Sequence, residues 1–292
     1  MTGILLIDKG PGWTSSDVVA KLRGVLKERK LGHAGTLDPL ATGLLVVMAG
    51  RAARASDYLM HHEKRYLAHL RLGLTTDTQD ITGTVLRKVP CRTGEEELLD
   101  VLGHFMGKQM QIPPMYSAIK IKGKKLYEIA RRGGEVERAP RPVQISSLTL
   151  CGREGDDFIL DVTCSAGTYI RTLCHDIGQM LGCGGCMAQL RRLSSGDFSV
   201  EQAYTVSEVE AAALRGEAQQ LLLPVDKVFE NYPALSVDML QEKALRCGSS
   251  VPYPEKNGIF RVYASSGEFL LLGSAENGRL KTVKSYFEVV SS

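Results

Sequence analysis

Short apolar runs of two different periods alternate along this chain. ILLID at 4–8 is a compact run of the kind that makes a buried strand. Behind it Val18, Val19, Leu22, Val25 and Leu26 recur at helical spacing, with Ser15 and Ser16 as candidate caps. LLVVM at 44–48 returns to core-strand character after a glycine-punctuated loop. The pattern then predicts a helix over 51–61, an alternating strand over 65–72 and an amphipathic helix over 95–106. PVQISSLTL (142–150) and FILDVTCSAG (158–167), joined through GREGDD, predict an antiparallel hairpin, with helices to follow over 169–181 and 206–213. Hairpins beside helices point to an α+β fold. Two prolines in LLLPVDKVFENYP break the pattern, so a boundary is expected between residues 1–229 and a small all-β module at 230–292, built from IFRVYA, EFLLLG and LKTVKSYFEV.

Composition adds bounds rather than chemistry. A chain of 292 residues with 43% hydrophobic and 24% charged residues can bury a substantial core, and no apolar run approaches the roughly 18 residues a membrane span needs. The amino-terminal stretch lacks the basic and long apolar regions of a secretory signal, so a cytoplasmic location is expected. Seven scattered cysteines, an odd number, read as reduced thiols rather than a disulfide framework. The net charge of +3 says little, but its distribution says more. Residues 120–141 carry eight basic against three acidic side chains, among them Lys120, Lys122, Lys124, Lys125, Arg131 and Arg132, together with Tyr127 and several glycines. A second basic cluster runs from Lys21 to Lys30. Such clustering suits a polyanion, and an aromatic among the charges suits a nucleic-acid base.

The loop LGHAGTLDPLATG, at 31–43, carries Asp38 directly before Pro39. The proline biases the aspartate towards extended backbone, and Gly32, Gly35 and Gly43 permit close approach of other chain or a ligand. Turn capping by Asp38 and a reactive, rigidly presented carboxylate are both compatible with that pattern. A P-loop and a G-x-G-x-x-G turn are both lacking, which leaves catalysis to side chains. His61-His62-Glu63 and Cys183-Gly-Gly-Cys186 superficially match the two halves of a zinc deaminase signature. Residue 182 is glycine rather than proline and the halves lie far apart, so no metal is expected.

GHAGTLDPLATGLLVV closely resembles the signature of the TruB-type tRNA pseudouridine synthases. In the same order, LLIDKGPGWTSSDVV, KRYLAHLRLGLTTDTQD, PPMYSAIKIKGKKLYEIAR, CSAGTYIRTL and QLRRLSSGDF resemble further motifs of that family, over most of residues 3–198. The resemblance implies a catalytic domain with a mixed, largely antiparallel sheet flanked by helices, an RNA-binding insertion at about 108–141, and a carboxy-terminal PUA-like RNA-binding module. It implies isomerisation of uridine 55 in the T-loop of tRNA, without cofactor, by a monomer with no obligate protein partner. Asp38 falls on the family's nucleophile, and a carboxylate can form a covalent intermediate and later leave. Tyr66 falls on the tyrosine that stacks on the target base, near the C5 proton. Tyr169 falls on a residue lining the uracil site, and Arg171 on the partner of the aspartate, where a cation favours the charged carboxylate. Leu190 falls on a pocket position, and His33 on the histidine that fills the T-loop space left by extruded nucleotides.

Overall fold

A computed structural model describes residues 1–121 and 123–288. Its centre is a mixed sheet whose main strands lie in the order Gly3–Lys9, Thr42–Ala49, Gly185–Ser195, Lys64–Leu72, Asp157–Cys164, Arg141–Glu154 and Gly107–Gln111. All these neighbours pair antiparallel except Gly185–Ser195 with Thr42–Ala49, which run parallel. The short strand Leu31–Ala34 folds back on Thr42–Ala49 as well. The expected mixed, largely antiparallel sheet is therefore present.

The strand Thr42–Ala49 is buried on both faces, which explains its unbroken apolar run. On one face Leu45 and Val47 meet Val18 and Leu22 of the helix Ser15–Leu26 and share a core with Leu98, Leu173 and Ile177. On the other, Leu44, Val46 and Met48 pack with Leu59, Phe229, Leu272 and Tyr286. Helices thus cover the first face, while the second receives the carboxy-terminal part of the chain.

Two helical details depart from the apolar pattern. Thr14, not Ser15 or Ser16, caps the first helix, in a reciprocal box with Asp17. Ser15 is buried and its hydroxyl is used elsewhere. The span expected as one helix at 51–61 is a 3-10 turn, Gly50–Ala55, followed by the short helix Ser56–Met60.

Residues 234–285 form a five-stranded sheet in the order Ala234–Ser236, Gly258–Tyr263, Phe269–Glu276, Arg279–Ser285 and Val251–Pro252. The module is β-rich, with one helix, Met239–Arg246, that strand alternation did not announce. Asp238 caps it, and only Leu245 of its residues is buried, so its apolar signal is weak. The module has its own core, which includes Val262, Leu270 and Phe287. It is also joined to the main sheet through Phe229, whose ring lies 5.0 Å from Tyr58 and 5.6 Å from Tyr286. No helix among the described residues is long and apolar enough to cross a membrane.

Candidate active site

Asp38 sits at the tip of the loop that joins Leu31–Ala34 to Thr42–Ala49. Both its neighbours are tied down. The Ser15 hydroxyl accepts from the Leu37 amide (2.8 Å) and donates to the Leu37 carbonyl (3.1 Å). On the other side, the Pro39 carbonyl accepts from the Gly12 amide at 2.9 Å and from the Lys9 ammonium at 3.4 Å. Lys9 is fully buried and also donates to the carbonyls of Gly10 and Trp13, at 2.9 and 2.8 Å. Burial pushes its pKa down to about 8, against the opposing attraction of Asp38. Gly43, at φ +94°, closes the loop where a Cβ would overlap the Arg192 carbonyl, so this position admits only glycine.

The partner of Asp38 arrives from the far end of the chain. Arg171 lies in the first turn of Ile170–Met180, 4% exposed, with Nε 2.9 Å from Asp38 Oδ2 and Nη2 3.4 Å from Oδ1. Its remaining N–H groups donate to the carbonyls of Tyr116 (2.8 Å) and Thr78 (3.0 Å). A second carboxylate, Asp80, stands 3.9 Å from Nη1. Asp80 is itself buried and held by Thr82, through an amide at 3.0 Å and a hydroxyl at 2.6 Å, and by the Thr78 hydroxyl at 2.9 Å. The guanidinium is thus fixed in a planar frame, and the Asp38 side chain, 37% exposed, keeps an open face towards a ligand.

The other sequence candidates come from neighbouring strands of the sheet and from the residue before Arg171's helix. Tyr66 is buried on Lys64–Leu72 and shares the first core with Leu37, Ala41 and Leu190. Burial raises its phenol pKa, with the Arg192 guanidinium pulling the other way. Tyr169 directly precedes Arg171's helix, where its amide donates to Gln111 Oε1 at 2.8 Å and its carbonyl accepts from Gln111 Nε2 at 3.0 Å. Its phenol is raised by burial, partly offset by the Arg171 charge. Leu190 lies opposite Ala68 on the strand paired with Tyr66's. His33 sits in the strand that enters the Asp38 loop. Burial, aided by the Arg192 charge, lowers its imidazole pKa, which favours the neutral ring at neutral pH.

Family models and relatives can be set beside this geometry. The model described as TruB family pseudouridylate synthase, N-terminal domain, matches residues 23–170, and that of the tRNA pseudouridylate synthase B C-terminal domain matches 171–230. The chain belongs to the TruB family of pseudouridylate synthases. It is similar to the tRNA pseudouridine synthase B of Clostridium kluyveri, at 39% identity over 97% of this chain and 99% of that one. The corresponding protein of Alkaliphilus oremlandii is 45% identical over 86% of this chain and 83% of its own. Among solved structures, a chain of a Cbf5-Nop10-Gar1 complex superposes with a TM-score of 0.74 at 26% identity, covering 98% of this chain and 84% of that chain. The TruB family isomerises uridine in tRNA, and the chain is an isomerase of that class.

The basic stretch at 120–141 is more structured than its composition suggested. Lys120–Ile121 pairs with Lys124–Lys125, and the helix Leu126–Ala130 follows. Lys120, Lys124, Arg131 and Arg132 are exposed, and Lys125 is half-buried. Lys122 lies outside the described residues. The Tyr127 ring, expected to meet a base, is occupied by Lys125 and Arg131, whose charges lie 5.4 and 5.3 Å from its centroid. Just before this stretch the chain reaches the Asp38–Arg171 pair directly, because the Tyr116 carbonyl accepts from Arg171. Cys183 contacts Cys91 at 2.8 Å and His62 packs on Gly196, so the stretches that resemble a deaminase signature are engaged in separate contacts.

Asp80, Lys9 and Gln111 carried no functional signal in the sequence, and Ser15 read only as a candidate cap. The only local signal for Asp80 was its setting among threonines in TTDTQDITG, which supply its hydrogen bonds.

Proposed function

We propose that this protein converts uridine 55 in the T-loop of tRNA to pseudouridine, acting as a cytoplasmic monomer without a cofactor. The observation that carries the reading is the Asp38 carboxylate held at 2.9 Å by a buried Arg171, on a loop clamped at both neighbours and open to a ligand. On this reading Asp38 is the nucleophile, and its fixed rotamer avoids the entropic cost of finding the sugar or base carbon. Tyr66 stacks on the flipped base and takes the C5 proton, while Tyr169 and Leu190 line the uracil pocket. Residues 1–229 form the catalytic unit, with the insertion at about 108–141, and 230–292 a PUA-like module, of which 289–292 lie outside the described residues.

Extracting a base from a folded loop costs on the order of a few kcal/mol. His33, half-buried beside the Asp38 loop and favoured in its neutral form, suits a stacking surrogate that offsets this cost. Lys120, Lys122, Lys124, Lys125, Arg131 and Arg132 run along the RNA backbone. Changing Lys120, Lys122 and Lys124 together to Gln is expected to weaken T-arm binding and make the log K against log salt slope shallower by about 2–3, one counterion per lost phosphate contact. Filter binding across a salt series measures this, and an unchanged slope removes these lysines from the interface. The reading as a whole is tested with a T-arm hairpin transcript incubated with purified protein and no added metal or cofactor. Conversion at uridine 55 is expected, and an unchanged transcript would sink the proposal.

A further inference from the structure

Beside Lys9, a second buried cation lies close to the Asp38 loop. Arg192, 1% exposed, lies on Gly185–Ser195 directly across from Tyr66 in the antiparallel ladder, so the two side chains are cross-strand neighbours. Its Nε donates to the Leu44 carbonyl at 2.6 Å and Nη2 to the Gly35 carbonyl at 3.1 Å. Nη1 passes 3.3 Å from where a Cβ on Gly35 would stand, so the glycine makes room for the guanidinium. Among the described residues no carboxylate pairs with it, whereas Arg171 and Arg191 both have one.

An uncompensated buried cation is costly to keep. Its charge reaches Tyr66, His33, Lys9 and Lys64; Lys64 is buried, with a pKa pushed down to about 8 by burial and by Arg192. The resting site thus holds positive charge around a phenol, and among the described residues Arg192 has no anion paired with it. A phenolate formed during the reaction would be that anion.

We propose that Arg192 is a positioning residue for Tyr66, aiming the phenol at the base and stabilising its anion while the C5 proton moves. The inference rests on the assignment of Tyr66 made above. In the step concerned, Tyr66 has released its hydroxyl proton to water, and the phenolate oxygen takes the proton from C5 of the base already rejoined to the ribose. The electrons of the C5–H bond become the C5=C6 bond, those of N1=C6 move to N1, and N1 takes a proton from water. Protons and electrons balance, and no further reactant is needed. Arg192 faces Tyr66 across the ladder, so on this proposal its effect passes through the phenol.

The test uses single-turnover conversion of T-arm transcripts carrying uridine or 5-deuterouridine, with wild type, Arg192→Gln, Arg192→Lys and Tyr66→Phe, and Arg192→Gln combined with Tyr66→Phe. Arg192→Gln is expected to lose about 100-fold in rate and Arg192→Lys about 10-fold, in the range of a lost proton-transfer device. Both variants should show a larger deuterium isotope effect than wild type and bind the transcript within about twofold of it. In the Tyr66→Phe background the Arg192→Gln loss should shrink to about threefold or less. Should Arg192→Gln fail to fold, Arg192→Lys, which keeps the charge and loses the planar fork, carries the isotope test alone. A wild-type rate in the folded variants, or a loss with an unchanged isotope effect that persists in full without the phenol, would overturn the proposal. Absence of conversion by wild type would instead overturn the functional reading beneath it.

Discussion

Asp38→Asn is expected to lower single-turnover pseudouridine formation by about four to six orders of magnitude, the scale on which a covalent nucleophile is lost. The amide is isosteric and the loop is clamped independently of it, by Ser15 on Leu37 and by Gly12 and Lys9 on Pro39. The loop should therefore survive, and RNA affinity should stay within about threefold of wild type, because substrate binding draws on other surfaces. Arg171 would lose its nearest anion, but Asp80 and the carbonyls of Thr78 and Tyr116 remain. With the Asp38 side chain 37% exposed, the stability change is held to about 1–2 kcal/mol after allowance for solvent screening. A large loss of rate with little loss of binding or stability separates a chemical role from a structural one. Rapid quenching with pseudouridine detection measures it.

The second large effect concerns the arginine. Arg171→Met removes a buried guanidinium that hydrogen-bonds Asp38 and two backbone carbonyls and stands 3.9 Å from Asp80. The change is expected to cost about 3–5 kcal/mol of folding free energy, since buried acceptors are left without a donor. The rate should fall by about 100-fold or more, because an unanchored carboxylate samples unproductive rotamers. Arg171→Lys returns the charge without the fork. One ammonium cannot reach Asp38, Tyr116 and Thr78 together, so intermediate stability and rate are expected, from urea unfolding and single-turnover kinetics. The Tyr116 contact adds a consequence, because the basic stretch that follows it loses its anchor on the helix Ile170–Met180.

What could be read from the sequence follows from where each signal is written. The apolar runs at 4–8 and 44–48 announced strands because burial on both faces demands continuous hydrophobicity. The hairpin of Arg141–Glu154 and Asp157–Cys164 was visible in its alternation and its turn. Asp38 stood out through its proline and glycines, yet from those alone a turn cap served equally well. Only the ordered set of motifs named its partner, 133 residues away. Ser15, Lys9 and Arg192 stayed hidden because their task is to hold backbone carbonyls across the fold, and carbonyls leave no mark in a sequence. Ser15 in particular resembles a cap in the sequence while its hydroxyl bridges to Leu37. The helix Met239–Arg246 was missed for the opposite reason, since it buries a single leucine and leaves Met239 and Leu240 exposed.

One measurement bears most directly on the central claim, that Asp38 held by Arg171 isomerises one uridine of the T-loop. A full-length tRNA transcript is incubated with wild type or with Asp38→Asn, and pseudouridine is mapped at every uridine. The account predicts product at position 55 and at no other site with wild type, and none with the variant at matched RNA occupancy. Product from Asp38→Asn at the wild-type rate, or isomerisation at other uridines with position 55 untouched, would contradict it.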